Sequence, residues 1–444
     1  MPASASLRDF LQELRWQDLP APVQSRVRLL LLDLLGTALA GTGTELHGAV
    51  LRYASRNLSG GKSRALFSGT ALSPEGAALV GGLTIDSVDA HDGHRLTKGH
   101  VGCGLLPALL AAKDDRETAL TGEEFLTLLT AGYEIGTRAG IALHASAPDY
   151  HTSGAWIAVC AAALAAHLME LSPEAFAHAL GIAEYHGPRS QMMRVIDHPT
   201  MLKDGSGWGA MAGVSAAALA AEGFTGAPAI TVMAPDLAGI WATLGTDWDV
   251  LNQYVKGFPV CRWAQPAVQA ALDLTQDQPL KAEEIAAVEV ETFHEATRLF
   301  QGVPASTEEA QYAIGFPVAA ALLRGRVGVA EISAPAFQDA DLCALTACLS
   351  FTESDAFNAR FPAERWARLK VTLRTGEVRH TPATQAKGDP ETPYTEAEMI
   401  AKFYDLAGDT ASRERLDAIH DAVMGLDETE ASLRTLQSRI FPIP

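Results

Sequence analysis

From residue 25 to residue 40 the chain reads Ser-Arg-Val-Arg-Leu-Leu-Leu-Leu-Asp-Leu-Leu-Gly-Thr-Ala-Leu-Ala, an amphipathic start that becomes almost wholly apolar before Gly41. This pattern predicts a helix with its second half buried. Segments of similar texture, rich in Ala, Leu and Gly, follow at 105–113, 122–142, 155–171, 173–183 and 209–221. Ser172-Pro173-Glu174 predicts a helix start, with a hydroxyl cap and Pro at the first helical position. Small side chains let helix axes approach closely, so this part of the chain reads as a compact helical bundle. The longest apolar run, Ala155 to Ala166, is well short of a bilayer span and reads as a buried helix.

After about Pro266 the period changes. Residues 286–292 (Ala-Ala-Val-Glu-Val-Glu-Thr) alternate apolar and polar, as a half-buried strand does. Residues 368–373 do the same, and Thr375-Gly376 turns them into 377–380, which predicts a hairpin. Helices are predicted between these strands at 310–324 and 339–349. Residues 267–394 therefore read as a smaller α+β domain. From Thr395 a capping box, Thr-Glu-Ala-Glu, opens a helical tail. The expected fold class is mainly α: an all-helical domain formed by 1–266, and by 395–444 if the tail packs back, beside the α+β domain.

A chain of 444 residues is long enough for more than one core. Its 34 basic and 53 acidic residues leave a net charge of −19, which disfavours nucleic acid and anionic membrane surfaces as partners. An anionic substrate would then need cations concentrated in its pocket, which draws attention to single Lys and Arg residues inside apolar, Gly-rich stretches. The five cysteines are scattered and form no CxxC pair, which argues against zinc ribbons, iron–sulfur cradles and a disulfide framework. With no basic, then apolar, leader in the first residues, a cytoplasmic location is expected.

Four stretches carry candidate chemistry. Asp86 to His100 packs Asp86, Asp89, His91, Asp92, His94, Lys98 and His100 between two apolar segments. It reads as a loop on a helical scaffold, suited to proton transfer or, because His and Asp are both good ligands, to a divalent metal. The adjacent His91-Asp92 pair gives the metal reading one specific form, that of the HD-type phosphohydrolases; a solvated loop is the plain alternative. Asp149-Tyr150-His151-Thr152-Ser153-Gly154 stands before the longest apolar run, where a helix N-terminus would favour a neutral imidazole. Lys203 lies in the Gly-rich stretch Met201-Leu202-Lys203-Asp204-Gly205-Ser206-Gly207-Trp208-Gly209, and Lys256 and Arg262 lie in the apolar stretch 254–263. For these three stretches the alternatives are a capping loop, a flexible loop and a snorkelling surface lysine.

In this order the clusters resemble the MmgE/PrpD family, which includes 2-methylcitrate dehydratase, cis-aconitate decarboxylase and iminodisuccinate epimerase. The resemblance begins with Leu32-Asp33-Leu34-Leu35-Gly36. It continues through Asp89–His100, His151–Gly154, the Lys203 loop with Gly223-Phe224-Thr225-Gly226, and Lys256-Gly257-Phe258-Pro259, and ends with 310–314 and Gly388-Asp389-Pro390. It implies a homodimer, each chain having a large helical domain from both chain ends and an inserted α+β domain. It also implies a site between the domains at Asp89, Asp92, His100, His151, Lys203 and Lys256, working on a small polycarboxylate with neither metal nor organic cofactor. The expected roles are Lys203 and Lys256 gripping carboxylates, His151 as base, His100 as a second acid/base, and Asp89 or Asp92 orienting an imidazole. His94, Lys98, Tyr150 and Arg262 are the candidates for further substrate contacts. The reactions implied are loss of water or carbon dioxide, with epimerisation as the alternative. The sequence departs from the family pattern at Gly93 (often Thr), Val101 (often Pro), Gln265 (often His) and Phe316 (often Tyr).

Overall fold

The computed structural model describes residues 3–276 and 278–442. The expected helices are present at Ala21–Gly41, Gly102–Arg116, Gly122–Ser146, Gly154–Leu168, Pro173–His186 and Ser206–Ala221. Ser172 caps its helix through the backbone N–H of Ala175. A further helix, Pro74–Asp86, was not foreseen; it ends where the histidine-rich loop begins. Gly154–Leu168 is buried almost throughout, and no single helix among the described residues is long and apolar enough to cross a membrane.

The chain buries two hydrophobic cores. The first joins the helices before residue 256 to Met399, Phe403, Leu416, Leu433 and Ile440 of the C-terminal tail. The second gathers side chains from 260–345 and 357–373, with Val88, Ala90, Met192 and Ile196 reaching in from the helical part. A four-stranded sheet belongs to the second core, in the order Leu349–Glu353, Ile285–Thr292, Ala367–Leu373, Val378–His380. The first pair is parallel and the other two are antiparallel.

Two expectations are corrected in this second region. The helix foreseen over 310–324 is two, Thr307–Gln311 and Gly315–Arg324, broken where Phe300 bridges to Ala313. The one foreseen over 339–349 stops at Thr346, and Leu349 opens an edge strand. That strand's mixed burial carries no clean alternation, so the sequence had no period to announce it.

Two devices bring distant segments to the future site. Gly93-His94 pairs antiparallel with Gln253-Tyr254, laying the histidine-rich loop beside the segment that carries Lys256. Glu134 steadies that segment from the side by accepting the N–H groups of Asp249 (3.1 Å) and Val250 (2.9 Å) and pairing with Arg138 (2.5 Å). From the tail helix Glu396–Ala407, whose capping box forms as expected, Lys402 pairs with Asp33 at 2.6 Å and donates to the carbonyl of Ala90 at 2.6 Å.

Candidate active site

The loop 86–100 is not solvated: Asp86, Asp89, His91, Asp92, His94 and His100 are all buried. At its centre Lys256 Nζ forms an ion pair with Asp89 and lies 3.5 Å from His100 Nε2. Each member of the pair fixes the other's charge. Burial opposes both charged forms, but the Lys256 ammonium carries the Asp89 carboxyl below its usual range, and Asp89 carries the Lys256 ammonium above its own. Lys256 is therefore a permanent cation here, not a proton acceptor.

His100 has its tautomer set by the backbone. Its Nδ1 lies 2.5 Å from the carbonyl oxygen of Asp92, which can only accept, so Nδ1 carries the hydrogen and Nε2 presents a lone pair. Burial, then the charges of Lys256 and His91, push the imidazole well below its usual pKa, so it is neutral at neutral pH. Asp204 Oδ2 lies 3.5 Å from Nε2 and accepts the Ser153 hydroxyl at 2.8 Å; Ser153 in turn accepts the backbone N–H of His100 at 2.9 Å. Burial, and then Asp86, lift the Asp204 carboxyl to about 7. A neutral base and a half-protonated acid thus lie 3.5 Å apart, with the base beside an ammonium.

Of these groups Asp89, His100 and Lys256 line a crevice of about 20 Å³, room for about one water molecule. Tyr254, Arg262, Tyr312 and Arg365 line it with them, and the guanidinium groups of Arg262 and Arg365 lie 5.0 Å and 5.7 Å from the centre of the Tyr254 ring. Lys98 also lines the crevice, with its ammonium 3.6 Å from the centre of the Tyr150 ring.

The structure thus brings Asp89, His100, Lys256, Lys98 and Arg262 to one crevice and leaves the other foreseen residues behind or outside it. Lys203 is buried one layer back, donating to Gln311 at 2.7 Å and lying 4.8 Å from the Tyr312 ring centre. The Asp92 side chain accepts the Tyr133 hydroxyl at 2.7 Å, so its carbonyl, not its carboxylate, orients His100. His94 faces Asp249 at 3.9 Å and is pushed down to about 4 by burial. Tyr150 serves as the platform under Lys98. His151 is not among the lining residues: its backbone bridges to Gln191 and donates to His144 Nε2 at 3.1 Å, and the two imidazoles stack. From that stretch it is Ser153 that reaches His100.

The donor set of Asp89, His91 and His100 has ligand atoms within 4.8 Å of one another, an arrangement a metal ion can use. It differs from the His91-Asp92 pair of the HD-type reading. The Lys256 ammonium already lies against two of its three members, Asp89 and His100, where a divalent cation would be repelled.

Two residues escaped the sequence reading. Gln311 accepts the N–H of Asp89 (2.8 Å) and the ammonium of Lys203, and donates to the Ser87 carbonyl (2.9 Å). Arg365 is a buried wall of the crevice, 5.7 Å from the Tyr254 ring centre. The first had appeared only as part of a family landmark, and the second sits among ordinary surface charges.

Comparison with known proteins agrees with this two-part architecture. A family model for the MmgE/PrpD N-terminal domain matches residues 5–247, and one for the MmgE/PrpD C-terminal domain matches residues 258–427. The chain belongs to the MmgE/PrpD family. Among MmgE/PrpD relatives, a cis-aconitate decarboxylase-like protein of Aspergillus oryzae is 25% identical, across 98% of this chain and 97% of its own length. A cis-aconitate decarboxylase of Aspergillus terreus is 27% identical over 39% of this chain and 37% of its own. The departures from the MmgE/PrpD pattern have structural meanings here. A Cβ at position 93 would come within 2.5 Å of the Tyr254 hydroxyl and 2.7 Å of His100 Nδ1, so glycine lets that ring approach. Gln265 staples the Lys256 loop, accepting from Gly257 N and donating to the carbonyls of Phe258 and Val260. Phe316 packs on Phe337 in the second core.

Proposed function

We propose that this protein is a lyase that acts on a small di- or tricarboxylate through a carbanion next to a carboxylate, with neither metal nor organic cofactor. The observation that carries the reading is the neutral His100 imidazole, its Nε2 lone pair held beside the fixed ammonium of Lys256 in a buried crevice. A carbanion flanked by a carboxylate concentrates negative charge, and a preorganised cation in a low-dielectric site stabilises it most. The decarboxylase names of the two relatives favour loss of carbon dioxide over loss of water. In this reading residues 1–266 with 395–444 form the larger domain and 267–394 the smaller one, which brings Tyr312 and Arg365 to the crevice.

Decarboxylation breaks the bond from carbon to a carboxylate and leaves its electron pair on that carbon, opposite Lys256. The carbanion then needs a proton. Neutral His100 has none on Nε2, but Asp204, lifted to about 7 and 3.5 Å away, supplies one that the imidazole passes on. In dehydration Nε2 takes the proton from carbon and, as imidazolium, returns it to the departing β-hydroxyl, which leaves as water.

Proton NMR in D₂O with a panel of di- and tricarboxylates tests the reading. New olefinic or decarboxylated products support it, deuterium exchange without net conversion turns it toward epimerisation, and no change with any acid sinks it. Activity is expected to survive chelator treatment; loss restored by a divalent metal would assign Asp89, His91 and His100 to a metal centre instead.

A further inference from the structure

The crevice holds more positive charge than the reaction face consumes. Lys256 is matched by Asp89, and Arg262 by Asp389 at 2.6 Å. Arg365 has no such match. It is 3% exposed, its Nε and Nη1 are buried without a hydrogen-bond partner, and among the described residues no carboxylate lies within 4.0 Å of it. Lys98 likewise has no ion-pair partner among the described residues; only the Tyr150 ring lies under its ammonium. The two cations feel each other: after burial, the charge of Arg365 is the next cause lowering the proton affinity of Lys98. A guanidinium removed from water with two donors idle is disfavoured unless something anionic completes it. Among the described residues Nη2 makes no hydrogen bond either, so both edges of the planar fork, Nε with Nη2 and Nη1 with Nη2, are open to the two oxygens of a carboxylate.

We infer that Arg365, with Lys98 beside it, forms an anion subsite for the substrate carboxylate farthest from the reacting carbon. The inference rests on the reading of this crevice as a carboxylate-acting site, and it makes the protein selective for acids with at least two carboxylates. One carboxylate meets Lys256 and His100, and another meets Arg365; the Tyr254 ring lies 6.5 Å from that of His100 and 5.7 Å from the Arg365 guanidinium.

Calorimetric binding of two non-reacting acids, propane-1,2,3-tricarboxylate and butyrate, tests the subsite apart from turnover. Wild-type protein is expected to bind the tricarboxylate more tightly than butyrate. Arg365→Met should weaken the tricarboxylate by about 30-fold or more while leaving butyrate nearly unchanged. Arg365→Lys, which keeps charge without the fork, should fall between, and Lys98→Met should shift in the same direction. A cooperatively melting Arg365→Met protein with wild-type tricarboxylate affinity overturns the inference, as does a wild type that binds both acids alike. If Arg365-dependent binding is seen but no polycarboxylate is turned over, the lyase reading falls and the anion subsite stands.

Discussion

At the residue scale, the site works because neighbouring groups divide the charge states among themselves. Lys256 keeps its proton because Asp89 gives up its own, and His100 stays neutral because it is buried and, after that, because the ammonium is next to it. Lys256→Met is expected to lower turnover by about 10²–10³-fold and, by stranding the buried Asp89 charge, to destabilise the fold by about 3–5 kcal/mol. Urea melts should show stability largely restored, but not activity, when Asp89→Asn is added. Asp204 makes a pH prediction. Its folded-state pKa, about 7, lies above its ordinary value of 3.8, so the proton it relays is present below neutrality and lost as pH rises through 7. Decarboxylating turnover should fall along that limb, and the Asp204→Asn profile should lack it. Single residues were unevenly legible in the sequence. Asp89, His100 and Lys256 stood out because charges embedded in apolar, Gly-rich stretches are conspicuous. Arg365 did not, because Glu364-Arg365-Trp366-Ala367-Arg368 looks like a solvated strand start, and only burial distinguishes it from Arg368. His151 drew attention for its place before a helix, but the neighbour that reaches His100 is Ser153, a choice made by backbone geometry that composition does not record.

At the element scale, the site depends on segments far apart in the chain. The tail helix Glu396–Ala407 packs on Ala21–Gly41 so closely that a Cβ on Gly36 would lie 2.9 Å from the Phe403 ring. Through Lys402 it grips both Asp33 and the Ala90 carbonyl in the histidine-rich loop. Lys402→Met leaves Asp33 buried without its ion-pair partner. A loss of about 3–5 kcal/mol is expected in chemical denaturation, with much of it recovered in the Asp33→Asn, Lys402→Met double variant; an unchanged midpoint in the single variant would refute this. Helices were the readable elements, because long Ala/Leu/Gly runs and the caps at Ser172 and Thr395 are local signals. The break at Tyr312–Ile314 and the strand at Leu349 answer to partners elsewhere, Phe300 and the 285–292 strand, which a local pattern does not encode.

At the scale of the whole molecule, the helix Ser206–Ala221 turns an apolar stripe outward. Trp208 and Leu219 are exposed, and Met211, Ala212 and Ser215 lie half-buried between them. Spacing of three and four residues puts them on one face. We propose that a second copy of the chain covers this face, in keeping with the homodimer the family resemblance implies. Sedimentation equilibrium at micromolar concentration should give the mass of two chains, and Trp208→Glu should shift it toward one; a wild-type monomer would refute the proposal. The two-part plan was readable from the change of period near residue 266. How the parts meet was not, since the crevice is made of side chains drawn from both.

The amide of Gln311 has a consequence for how a ligand gets in. It ties the second core's segment to Ser87, Asp89 and Lys203 at once, so the cores cannot part on that side without unpairing all three. Lys98 is the one lining residue that is not fully buried. Opening at the Lys98 edge would instead leave those three hydrogen bonds intact. An incoming acid would meet Lys98 first, and its charge would be sorted before any of its bonds is broken.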